Sequence, residues 1–161
     1  MTRSFARAPR GERAKGAVPS GQWRRLTVLG ALSVEGMVAA MSIEAATDKP
    51  VFLAFLRAVL VPELHRRHPH ATVLMDNLSA HEDAAVEATL TQAGLNLLYL
   101  PRYSPDFSPI EPSWSKLKSK LRTVAARTAE TLEAALAPAI DSITADDARG
   151  WFNFCGYSIP S

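Results

Sequence analysis

Two short apolar runs, Thr72–Met75 and Leu95–Leu100, most constrain what this chain can fold into. Neither is long enough for a buried helix, and neither alternates with polar residues as a half-exposed strand does. Both therefore read as strands covered on two faces, the pattern of a parallel sheet. Parallel strands cannot be joined by a tight hairpin and need a crossover. The intervening stretch supplies one, a helix expected from about His81 to Ala93 and closed by Gly94 as the residue after its end.

The flanking segments extend this unit into an α/β order. Arg24–Ser33 and Met37–Glu44 read as a β-hairpin turning at Val34-Glu35-Gly36. Asp48 is placed to cap a helix whose apolar positions, Phe52, Phe55, Leu56, Val59 and Leu60, recur at helical spacing. Pro62 is expected to kink that helix before it ends near Arg67. After the second apolar run comes a loop, Pro101–Ser108, and then a helix with Ser108 as N-cap and Pro109 at its first position. Ile110, Trp114, Leu117, Leu121 and Val124 mark its expected buried stripe. Thr128 starts a further helix, and Ala145–Phe154 is a short last one whose Trp151, Phe152 and Phe154 read as core. The whole is an α/β layered domain, with residues 1–22 as a basic irregular leader and 23–157 as one folded unit.

Composition narrows the function classes. A chain of 161 residues, 47% hydrophobic and 21% charged, has the make-up of one globular domain with a real core. The single cysteine, Cys155, excludes an internal disulfide, and no apolar run reaches membrane-spanning length, so a cytoplasmic protein with no membrane partner is the default expectation. The net charge is only +2, but it is unevenly placed. Arg3, Arg7, Arg10, Arg13, Lys15, Arg24 and Arg25 face a single acid, Glu12, in the first 25 residues. Lys116, Lys118, Lys120, Arg122 and Arg127 form a second acid-free cluster. Local basic faces on a near-neutral chain suit a polyanion, and they equally suit a solvated leader and a solvated helix face.

Chemistry concentrates at two acids. Asp76 directly follows the first apolar strand, and sites in open α/β sheets gather at the carboxyl ends of strands. Glu111 stands in the first turn of the helix that begins at Pro109. Two carboxylates from different elements can hold Mg²⁺, which prefers oxygen ligands and completes its shell with water or substrate phosphate. A structural alternative stands beside this for each residue. Asp76-Asn77 also reads as a plain turn, and Ser108-Pro109-Ile110-Glu111 as a capping box in which Glu111 reaches back to the N-cap. On spacing alone the capping reading of Glu111 is the stronger one.

The wider motifs reverse that balance. The runs Val73-Leu74-Met75-Asp76-Asn77-Leu78-Ser79-Ala80-His81 and Tyr99-Leu100-Pro101-Arg102-Tyr103-Ser104-Pro105-Asp106-Phe107-Ser108-Pro109-Ile110-Glu111, followed by Trp114 and Lys116-Leu117-Lys118, resemble the DDE superfamily endonuclease domain. More narrowly, they resemble bacterial insertion-sequence transposases related to the mariner superfamily. Phe107-Ser108 stands where that family has Leu-Asn, and Arg7–Gly11 resembles its stretch between the first two core strands. The resemblance runs from about residue 5 to Tyr157. It implies a ribonuclease H-like three-layer fold, a mixed sheet flanked by helices. It also implies Asp76 and Glu111 as the second and third acids of a metal-binding triad, with Mg²⁺ or Mn²⁺ as cofactor.

Asn77 and His81 match the same family pattern, where a supporting role and a purely structural one both stand. The resemblance also implies double-stranded DNA as partner. Helical spacing adds a stripe of Glu111, Ser115, Lys118 and Arg122, with Lys116 nearby, whose cations are expected to meet DNA phosphates. The reaction implied is metal-dependent phosphodiester cleavage and strand transfer in a nucleoid-associated setting. The family's first acid and its strand lie upstream of the segment matched by Arg7–Gly11. The expectation from sequence is therefore a truncated or split transposase that lacks the first acid and is active only where an upstream reading frame or a longer product supplies it. A homodimer or assembly with a longer product is its expected partner. The alternative is an inactive remnant that binds DNA or full-length transposase. A ribonuclease H-like nuclease of another family is the third class, and the mariner-type motifs count against it.

Overall fold

The computed structural model describes residues 7–13, 26–78, 83–126 and 128–159. Strands β1 (Thr27–Ser33) and β2 (Gly36–Ile43) pair antiparallel, with Thr27 opposite Ile43 and Ser33 opposite Gly36. The turn falls at Val34-Glu35, as the sequence predicts, and Gly36 follows it at φ +114, a backbone conformation that side chains other than hydrogen rarely allow. Because successive strand residues point to opposite faces, β1 serves two cores at once. Leu29 and Ala31 pack into one cluster with Val38, Phe52, Phe55 and Leu56. Leu26 and Val28 pack into another with Leu117, Leu121, Leu136 and Ala139. The hairpin is thus the middle of three layers.

The first outer layer begins with α1 (Lys49–Phe55), capped by the Asp48 carboxylate, which accepts the Val51 N–H at 3.0 Å. A π turn, Leu56–Leu60, joins it to α2 (Val61–Arg67). The disturbance expected at Pro62 takes this form. Proline has no N–H for the carbonyl four residues back, and the widened turn just before it absorbs the defect without ending the helix. The helix stops at Arg67 as expected.

Strands β3 (Thr72–Met75) and β4 (Asn96–Tyr99) pair in parallel, Thr72 with Asn96 through Met75 with Tyr99, joined through α3 (Ala84–Gln92). That helix starts later than the sequence suggested, because Asp83 accepts the Ala85 N–H at 2.8 Å and so sets the cap there. Gly94 closes it at φ +70. The two strand pairs, expected in one mixed sheet, form two two-stranded sheets among the described residues and share the first core. Burial on both faces holds only in part. Met75 is buried and Leu97 and Tyr99 pack on the core, whereas Leu98 is 55% exposed on the opposite face.

Helices α4 (Ile110–Val124), α5 (Ala129–Asp141) and α6 (Ala145–Phe154) complete the second outer layer. On α4, Leu117 and Leu121 are buried and Trp114 is half-buried, as their spacing predicts. Val124 departs from its expected place and is 54% exposed. It is the last helical residue, and the chain reverses at Ala125 in a left-handed conformation, φ 50, that buries Ala126 instead. Phe154 is likewise exposed rather than core, lying roughly 120° around α6 from the buried Ala148. Trp151 and Phe152 are half-buried. None of the described helices is long and apolar enough to cross a membrane.

Gly30 shows how tightly the middle layer is held. A Cβ at this position would lie 2.8 Å from the Trp114 ring and 3.3 Å from the Ala39 carbonyl oxygen. We expect Gly30→Ala to lower stability by about 1–3 kcal/mol, the usual cost of overpacking. In denaturant unfolding, adding Trp114→Phe should recover part of that loss, and strict additivity of the two changes would count against the contact.

Candidate active site

The parallel pairing places the C-terminal ends of β3 and β4 side by side. The ladder continues one step past the strands, with the Leu100 N–H donating to the Met75 carbonyl at 2.8 Å. Asp76 therefore leaves the sheet next to the start of the Pro101–Ser108 loop. The Asp76 carboxylate accepts the Leu78 N–H at 3.4 Å, a weak Asx-type contact that shapes the turn. Asn77 ties the two strand ends together, its side-chain amide donating to the Leu100 carbonyl at 2.5 Å. His81, a candidate from the sequence, lies outside the described residues.

The loop is built to deliver Glu111. Pro105–Phe107 form a 3₁₀ turn, in which Phe107 N–H donates to the Ser104 carbonyl and Ser108 N–H to the Pro105 carbonyl. The Tyr157 hydroxyl, from the segment after α6, donates to the Phe107 carbonyl at 2.7 Å. Burial pushes that hydroxyl's pKa upward, so it keeps its proton as a donor. Tyr157 went unnoticed in the sequence, where a contact fifty residues from the loop leaves no pattern.

The capping box expected at Ser108 and Glu111 does not form. Pro109 occupies the cap position of α4, no side chain caps it, and the Glu111 N–H bonds the Ser108 carbonyl at 3.1 Å. The preceding 3₁₀ turn already fixes the Ser108 backbone, so its hydroxyl does not take the N-cap role. The Glu111 carboxylate is consequently exposed and uncommitted to the helix end. It lines the same cavity as Asp76, of about 360 Å³, together with Asn77, Ser104 and Ser108. The acids that the sequence singled out therefore converge on one concave site at the carboxyl end of a parallel strand pair. No third His, Cys, Asp or Glu joins them in a metal-holding group among the described residues. A donor set of two carboxylates beside hydroxyl and carbonyl oxygens suits a hard cation that brings its own water or phosphate ligands.

The basic candidates separate. Lys118 and Arg122 are exposed on α4, on the stripe that also carries Glu111 and Ser115. Lys116 instead forms an ion pair with Asp147, whose carboxylate also accepts from the Thr144 N–H at 2.9 Å and hydroxyl at 2.8 Å at the start of α6. These partners, Lys116 first, hold the Asp147 pKa down at about 2. The Tyr103 backbone is left-handed, φ 58, while its side chain is fully exposed at 101%. That conformation costs a non-glycine residue about 1–2 kcal/mol.

A family model described as DDE superfamily endonuclease matches residues 1–133. Among solved structures, the chain resembles the Mos1 strand transfer complex with a TM-score of 0.71 at 17% identity, over 95% of this chain and 46% of that one. It resembles the Mos1 mariner paired end complex with Mn at 0.72 and 16%, over 95% and 47%. The Mos1 transposase catalytic domain with raltegravir and Mg gives 0.66 and 17%, over 78% and 67%. The chain thus spans about half the length of the first two. At these identities the likeness is one of fold, the ribonuclease H-like arrangement. No curated protein sequence matches.

Asp147 yields a prediction with a defined pH window. A carboxyl held low in the folded state stabilises the fold above its ordinary pKa of 3.8, and that contribution disappears as the pH falls through about 2. We expect Asp147→Asn to lose about 1–2 kcal/mol at pH 7, from the lost cap and ion pair. In thermal melts the gap to wild type should shrink from pH 4 downward, and a gap independent of pH would exclude the charge as its source.

Proposed function

Because this chain belongs to the DDE superfamily endonucleases, we propose that it is the catalytic portion of a transposase. Its reaction would be metal-dependent cleavage and strand transfer of DNA phosphodiesters in the transposition of an insertion sequence. The carrying observation is the convergence of Asp76 and Glu111, from different elements, on one cavity at the carboxyl end of β3.

In this reading Asp76 and Glu111 hold Mg²⁺ or Mn²⁺ through hard carboxylate oxygens. A divalent ion bound there supplies Lewis acidity for in-line phosphoryl transfer. Asn77 fixes the turn that aims Asp76, through its bond to Leu100. The Tyr157 bond to Phe107 steadies the loop that delivers Glu111. Lys118 and Arg122 lie roughly 10 and 16 Å along α4 from Glu111, and there they pair with phosphates flanking the reacting one. Lys116, bound to Asp147, contributes to DNA binding only through the placement of α4. A homodimer, or assembly with a longer transposase product, belongs to the same proposal.

A second reading is favoured by one observation. Only two carboxylates line the cavity among the described residues, which suits metal and DNA binding without cleavage. Nicking assays on supercoiled DNA in Mg²⁺ and in Mn²⁺ separate the two. Nicking abolished by Asp76→Asn supports the enzyme, and metal-dependent DNA binding without nicking supports the binding protein.

Two outcomes test the site itself. Mn²⁺ binding, read by electron paramagnetic resonance, should weaken at least tenfold in Asp76→Asn and in Glu111→Gln. Unchanged binding in both would remove the metal assignment. Replacing Lys118 or Arg122 with Gln should weaken duplex binding and lower the slope of log K against log salt by about 1 each. An unchanged slope would remove α4 from the DNA interface.

A further inference from the structure

Tyr103, in the turn at Arg102–Tyr103 on the edge of the cavity, takes a left-handed backbone conformation that buries none of its side chain. The left-handed backbone at Ala125 is offset by the burial of Ala126, but Tyr103 is left-handed with a side chain wholly in solvent. Strain that the fold does not use marks a functional position more often than a structural one. The surrounding loop is built to keep it. Pro101 and Pro105 restrict the backbone on either side. The Ser104 hydroxyl donates to the Arg102 carbonyl at 3.3 Å, and the Asn77 amide anchors Leu100 just upstream. The result is an aromatic ring held in solvent on the rim of the cavity that Asp76 and Glu111 line, with Leu78, itself 57% exposed, on the same rim.

We propose that Tyr103 is a stacking platform for an unpaired nucleobase adjacent to the phosphate held at Asp76 and Glu111. The inference rests on the DNA-cleaving reading above and adds the form of DNA that the site accepts. An exposed aromatic face beside a phosphate-handling cavity has one natural complement on a nucleic acid, the face of a base. Inside a duplex both faces of a base are covered by its neighbours. The ring is therefore matched to an unpaired base, in an overhang or flipped from the helix, which a blunt duplex does not present. Stacking tolerates any base, so Tyr103 selects for an open end, not for a sequence.

The test uses the full chain and two duplexes that differ only in a one-nucleotide 2-aminopurine overhang. Wild type should quench the 2-aminopurine fluorescence and bind the overhang duplex more tightly than the blunt one. Tyr103→Ala should abolish the quench and lose about tenfold in affinity for the overhang duplex alone. Tyr103→Phe should keep both. Tyr103→Gly relieves the left-handed strain, so it should lose the quench while melting no lower than wild type, which separates lost stacking from lost folding. Equal wild-type affinity for the two duplexes overturns the inference. So does an equal loss on both in Tyr103→Ala, or an effect of that variant on self-association instead of on DNA. If blunt-duplex and Mn²⁺ binding persist in those cases, the transposase reading survives without this refinement. Absence of any DNA binding by wild type removes both.

Discussion

The parallel registration of β3 with β4 is the constraint on which the site depends. Four paired positions and one further backbone bond, from Leu100 N–H to the Met75 carbonyl, bring two strand ends to the same edge. Everything chemical follows from that edge. Asp76 emerges from one strand and the loop leading to Glu111 emerges from the other, with Asn77 bridging them. Met75, Leu95, Leu97 and Tyr99 hold the pair against α1 to α3 by burying one face, which is why the edge is rigid enough to aim a carboxylate. The price is an open second face at Leu98, where parallel pairs are ordinarily covered.

Helix α4 carries the other half of the site and is fixed from three directions. Trp114, Leu117 and Leu121 seat it on β1 and α5, with Gly30 leaving room for the Trp114 ring. Lys116 and Asp147 lock it to α6, and the Asp147 carboxylate caps that helix in the same stroke. The Tyr157 hydroxyl then fastens the loop ahead of it. With its packed side committed, the helix can leave Glu111, Ser115, Lys118 and Arg122 facing water. In the function proposed above, the acid at one end of this stripe would meet the reacting phosphodiester and the cations further along its flanking phosphates.

The two left-handed non-glycine residues make an instructive contrast. Ala125 ends α4, and its cost is met by the chain reversal that buries Ala126. Tyr103 buries nothing, and it sits in a loop turn bounded by Pro101 and Pro105 in which the Ser104 hydroxyl donates to the Arg102 carbonyl. The two are alike in φ and differ in burial, and it is the exposed one, beside the cavity, that supports the stacking role proposed above.

The sequence by itself determined the order of elements, because periodicity and capping are local. The hairpin turn at Val34-Glu35, the Asp48 cap, the β3–α3–β4 unit and the buried positions Leu117 and Leu121 all follow from residues within a few positions of one another. It also singled out Asp76 and Glu111, through a strand end and a motif. What it could not decide were contacts made by residues far apart in the chain. The capping box at Ser108 failed because the 3₁₀ turn pinned by Tyr157 had already set that backbone. Lys116 was drawn from a basic cluster to Asp147, and Phe154 and Val124 were left exposed where their helices ran out of partners. Only the tertiary structure brought the two acids to one cavity, because a distance across 34 intervening residues is set by strand pairing and core packing, not by local propensity.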